Sequence, residues 1–147
     1  MKSLGVVVPM ALACASCVGG MDVENYEAGY SGDFLELEWT HRWEPVQFAL
    51  AYKTCQGRFE TLTLRVAPHR VGEELPIDGR SVIATYEHGG MGTCSRPHRV
   101  EGSLQLVEVP PAYARVRLKA APKCGDEPQL VFCGDYTFEF TKKPRDR

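Results

Sequence analysis

The stretch Ala112-Tyr113-Ala114-Arg115-Val116-Arg117-Leu118-Lys119 decides the fold class. Small or apolar residues hold the even positions, and Tyr113 with three cations holds the odd ones. A period of two belongs to an extended strand with one face in a core and the other in water, whereas a helix repeats near 3.6. The same period recurs on both sides. Leu35, Leu37 and Trp39 alternate with Glu36, Glu38 and Thr40, and Leu62, Leu64 and Val66 with Thr61, Thr63 and Arg65. Val46–Lys53 and Tyr136–Thr141 repeat the pattern, and Ser81–Glu87, Val100–Val109 and Leu130–Cys133 carry weaker versions. Turn chemistry at Gln56-Gly57, Asp78-Gly79, Gly89-Gly90, Pro110-Pro111 and Gly125-Asp126 separates these runs. No window of ten residues keeps a helical stripe free of Pro and Gly.

The expectation is therefore an all-β domain of seven or eight short antiparallel strands. Periodicity alone leaves two architectures open, a small β-sandwich and a closed β-barrel. Uneven strand lengths and connections favour the sandwich.

Composition narrows the class. In 147 residues, 44% are hydrophobic and 24% charged, which is ordinary for one globular domain and excludes disorder and collagen-like repeats. Lys and Arg number 17 against 19 Asp and Glu, a net charge of −2, so no basic excess points to nucleic acid. The charge is unevenly spread. Residues 21–50 hold seven acids and one base, whereas Arg96, Arg99, Arg115, Arg117 and Lys119 load the second half, and residues 142–147 form a basic tail.

Residues 1–16 read as an export signal: Lys2, then an apolar stretch, then small residues suited to a peptidase. The stretch is too short to span a bilayer as a helix. Cys14-Ala15-Ser16-Cys17 resembles the lipobox of bacterial lipoproteins, in which small residues precede a cysteine that is lipidated and becomes the new N-terminus. That resemblance implies a lipid on Cys17, with Cys14 after Ala11-Leu12-Ala13 as the other candidate, and, since Val18 rather than Asp follows Cys17, an outer-membrane location, with the periplasm or free secretion as alternatives. Residues 17–32 then read as a glycine-containing acidic tether and 33–141 as the β-domain. The alternative for the tether is an arm packed on the domain through Tyr26 and Tyr30.

Cleavage before Cys17 leaves an even set: Cys55, Cys94, Cys124 and Cys133. In an oxidising compartment four cysteines read as two disulfides, with three possible pairings. Cys124–Cys133 would staple a strand connection, and Cys55–Cys94 would tie a strand end to the glycine-rich loop. A zinc site needs reduced thiolates, and no CxxC stands in residues 33–141, so no metal or other cofactor is expected.

The loop holding His88, Cys94 and His98 joins a thiol to imidazoles, as in cysteine nucleophiles. A disulfide-bonded cysteine is no nucleophile, however, and no third group to orient the histidine is recognisable. The reading is a protein without catalytic residues. Its candidate contact residues are the Tyr113, Arg115, Arg117 and Lys119 strand face, suited to an acidic protein patch or an anionic surface polysaccharide, and Trp43, read as a turn residue before Pro45. Tyr52-Lys53-Thr54-Cys55-Gln56-Gly57 followed by the Leu62/Leu64/Val66 strand is similar to the opening of membrane-bound lysozyme inhibitors, which are small disulfide-containing β-barrel lipoproteins. That likeness implies an inhibitor as one alternative to a binding or structural component of an envelope protein assembly, and a freely secreted polysaccharide-binding module is the other.

Overall fold

The computed structural model describes residues 20–44, 58–89, 98–128 and 130–140. They contain β1 (Met21–Ser31), β2 (Phe34–Glu44), β3 (Arg58–Val66), β4 (Glu74–Pro76), β5 (Val82–Gly89), β6 (Arg99–Glu108), β7 (Tyr113–Cys124), β8 (Glu127–Pro128) and β9 (Phe132–Glu139), and no helix. All nine join one sheet. Eight follow the order β4-β6-β7-β9-β1-β2-β3-β5, and β8 pairs with the end of β7.

That order corrects the preference for a sandwich. A sandwich needs two sheets facing each other, whereas here a single sheet bends round until its two ends meet. At the meeting point Tyr86 of β5 and His98, just before β6, pack edge to face with ring centroids 4.8 Å apart. The architecture is a nearly closed barrel, and full closure is interrupted at the β5–β6 seam. Period-two patterning is identical in the two architectures, because closure depends on pairings between residues distant in the chain.

Every strand but the two-residue β8, whose residues are exposed, contributes inward residues to one core. Leu35, Leu37, Leu62, Leu64, Val66, Leu104, Leu106, Val116, Leu118 and Phe138 are fully buried or nearly so. At about 25 cal/mol per Å² of apolar surface, each large side chain among them stabilises the fold by roughly 1.5–3 kcal/mol before entropy is counted. Ala114, Val116, Leu118 and Ala120 point inward as the alternation requires, while Ala112 lies in the preceding turn.

Two boundaries differ from expectation. Met21–Ser31 is not tether but a strand in the middle of the sheet, paired residue by residue with β2 and touching β9 in parallel at Glu27 and Glu139. Tyr26 stacks on Tyr136 at 5.8 Å and meets the Phe138 edge at 5.4 Å, and Tyr30 stacks on Phe140. The packed-arm alternative is what the described residues show. Gly32-Asp33 closes this hairpin in two residues, with Gly32 at φ 63°, the left-handed conformation such a turn demands. The second difference is that the two runs expected on either side of Gly134 are joined in one strand, β9, over Phe132–Glu139. The Val46–Lys53 run lies outside the described residues.

Gly102 has a steric reason. Its φ is 141°, and a Cβ there would stand 1.8 Å from the Lys119 carbonyl oxygen. Its own carbonyl accepts the Ile77 amide at 2.9 Å, which closes the end of β4 onto β6.

Candidate functional site

The cationic row lies where alternation put it. Tyr113, Arg115, Arg117 and Lys119 occupy the outer face of β7, between β6 and β9. Its charges are shared with neighbouring strands. Arg117 Nε donates to Asp135 Oδ1 at 2.9 Å, Arg115 Nη1 stands 3.4 Å from Glu108 Oε2, and the Tyr113 hydroxyl donates to the same Glu108 oxygen at 2.9 Å. The Arg117 guanidinium holds the Asp135 carboxyl below its ordinary range, and Glu108 raises the Tyr113 phenol. Further along the same face Glu101 bridges Arg99 and Lys123 at 2.7 and 2.8 Å. The row is thus a mosaic of opposite charges, exposed and salt-screened, rather than a purely cationic strip.

One end of the barrel gathers more chemistry than the sequence disclosed. β1, β3, β6 and β9 begin at this end, and β2, β5 and β7 finish there. Residues in phase with the core continue past it into polar groups: Asp22 on β1, His41 and Trp43 on β2, Glu60 on β3, Tyr86 and His88 on β5, and His98 before β6. Trp43, expected in a turn, is a strand residue facing this mouth. Its indole lies so close over Gly20 that any side chain there would strike it. Strand pairing with Asp22 carries β2 past the position where Pro45 led to a turn being expected.

A hydrogen-bonded chain crosses the mouth over four strands. The Tyr86 hydroxyl donates to Glu60 Oε2 at 2.9 Å, His41 Nδ1 stands 3.1 Å from Glu60 Oε1, and His41 Nε2 stands 3.2 Å from Asp22 Oδ1. Trp39 stacks beneath the His41 ring at 5.9 Å. Burial alone would push the His41 imidazole down, but the hydrogen bonds and charges of Glu60 and Asp22 outweigh it and hold it above its ordinary value. Burial and then Glu60 raise the Tyr86 phenol. His98 is shifted the other way, by burial first and by His88 second, whose ring centre is 5.9 Å away; its buried Nε2 has no hydrogen-bond partner.

The remaining expectations divide cleanly. Cys17, Cys55 and Cys94 lie outside the described residues. Cys124 is disulfide-bonded, and Cys133 carries a free, exposed thiol, which corrects the Cys124–Cys133 staple and the assignment of Cys133 to any disulfide. The β7–β9 register is the reason. Cys133 pairs with Lys119, five residues short of Cys124, or roughly 17 Å along a strand, where a disulfide needs Cα atoms within about 7 Å. Glu36 and Glu38 stand on the outer face of β2 as expected, with Glu36 4.0 Å from Arg65. Among the described residues no group of three or more His, Cys, Asp or Glu side chains is arranged to hold a metal ion. No described helix is long and apolar enough to cross a membrane.

The β5–β6 seam leaves a groove of about 390 Å³ lined by Ile83 and Ala84 of β5, by His98 to Glu101 and by Ile77 to Gly79. No protein-family model matches the chain, and no curated protein and no solved structure matches it either.

Proposed function

We propose that this protein is a non-enzymatic envelope lipoprotein, anchored through a lipid on Cys17, whose β-domain serves as a binding or structural component of a protein assembly at the outer membrane. The observation that carries the reading is the outer face of β7. There Tyr113, Arg115, Arg117 and Lys119 stand in one row over a fully buried inner row, so the face can change without disturbing the core. Because Glu108 and Asp135 share the arginine charges, the row fits a protein surface of matching mixed charge better than a polyanionic glycan, which the two carboxylates would repel. A lipid anchor confines such a domain to the membrane plane, raising its effective concentration toward a partner held in the same layer.

The test is recovery of partners from detergent-solubilised envelopes, comparing wild type with Arg115→Glu/Arg117→Glu. Weaker recovery from a folded, correctly localised double variant supports the reading, and unchanged recovery removes this face from it. A Cys17→Ser variant should lose both fatty-acid label and membrane association.

The barrel-like closure favours a second reading, since the lysozyme inhibitors that residues 52–57 resemble are barrels as well. Those residues themselves lie outside the described part. Titration against lysozyme decides: loss of lytic activity at stoichiometric ratio would favour an inhibitor.

A further inference from the structure

His41 occupies an unusual position, with each ring nitrogen within hydrogen-bond reach of a carboxylate on a different strand. Carboxylates only accept hydrogen bonds, and a neutral imidazole has only one N–H to give. Donation to both carboxylates at once, across the 3.1 and 3.2 Å contacts, therefore needs the imidazolium. Asp22 and Glu60 favour the cation, and other titratable groups stand at this mouth with them. Asp22 and Glu24 come from β1, Glu60 from β3, and Tyr86, whose proton goes to Glu60, and His88 from β5; His98 precedes β6. Trp39 and Trp43 of β2 itself do not titrate.

We propose that His41 is a proton-operated latch at the barrel mouth, tying the start of β1 to β3 while protonated and releasing it when the proton is lost to solvent. The two arms are unequal. Glu60 is the more enclosed, with 27% of its side chain exposed against 69% for Asp22, and it is further fixed by Tyr86. Neutral His41 keeps its one N–H for Glu60, where water competes least, and turns a lone pair toward the Asp22 carboxylate. The Asp22 contact changes from attraction to repulsion, and Asp22 is the second residue of β1, two residues after Gly20, over whose backbone the Trp43 indole lies. The latch thus sets how firmly the chain is held at the point where it enters the barrel. Its sign follows from the raised folded value: the stabilisation is complete below about pH 6.5, the ordinary histidine value, and is lost as pH rises through the higher folded one.

The test uses the mature chain. The His41 ring is titrated by NMR in wild type, Asp22→Asn and Glu60→Gln, and amide protection factors are measured at Val23 and Glu24 on both sides of the transition. His41 should titrate above the ordinary value, both variants should lower it, and wild-type protection should fall with rising pH by roughly tenfold per unit of lost shift. In His41→Gln the protection should not change with pH across that window. Titration at or below the ordinary value, or protection equally high on both sides, overturns the latch. If His41→Gln does not fold, the two carboxylate variants and the wild-type protection profile decide alone.

Discussion

Lys119 and Cys133 face each other across β7 and β9 on the outside of the barrel, and this single pairing fixes the thiol chemistry of that face. It places Cys133 in solvent and away from Cys124. Alkylation of the native protein without reductant should therefore label Cys133, while Cys124 should become reactive only after reduction. A peptide joining Cys124 to Cys133 in the unreduced protein would contradict the register.

Gly102 should tolerate no side chain. Gly102→Ala places a Cβ against the Lys119 carbonyl in a backbone conformation that L residues rarely adopt. A loss of about 2–4 kcal/mol is expected in chemical denaturation, as for other strained backbone sites and steric overpacking. Gly29, where a Cβ meets nothing within 4 Å, should accept alanine at little cost.

Leu118→Ala should cost about 2–5 kcal/mol, since Leu118 is 1% exposed and the rigid sheet on either side limits collapse into the cavity. Lys119→Ala, one residue on and facing water, should change stability by less than about 0.5 kcal/mol. Equal losses at the two positions would mean that the alternation is misread.

Acid should weaken the outer face of β7 against both its neighbours, β6 and β9. The Arg117 hydrogen bond holds the Asp135 carboxyl below its ordinary value, and Lys123 with Arg99 does the same for Glu101. Depressed folded values mean stabilisation that is present above the ordinary carboxylate range and lost as pH falls through the folded ones. Thermal midpoints measured down to about pH 2 should drop less steeply for Asp135→Asn than for wild type.

How much of this was legible depends on how local each feature is. Ala114, Val116 and Leu118 face inward because alternation is a property of the strand itself, and residues 112–119 announce it. Closure into a barrel is not local, since it rests on β5 meeting β6 and on β1 touching β9 in parallel. The strand Met21–Ser31 went unrecognised because its inward residues, Asp22, Glu24, Tyr26 and Ala28, are polar or small, which hides the period. Gly32-Asp33 was the available signal, a two-residue hairpin turn. The mouth was hidden for the same reason. Asp22, His41 and Glu60 are polar residues in phase with a core, and only register brings three strands' worth of them together. The cationic row was visible, but its neutralising partners Glu108 and Asp135 were not, because they come from β6 and β9.

The most direct measurement places a photo-crosslinking amino acid at position 119, on the outer face of β7, and a second at Thr63, on the outer face of β3, in chains expressed with their own export signal. Irradiation of intact cells should yield a discrete envelope-protein adduct from position 119 and none of that size from position 63. Equal adducts from both positions, or an adduct only from position 63, would contradict the assignment of β7 as the contact face of a binding lipoprotein.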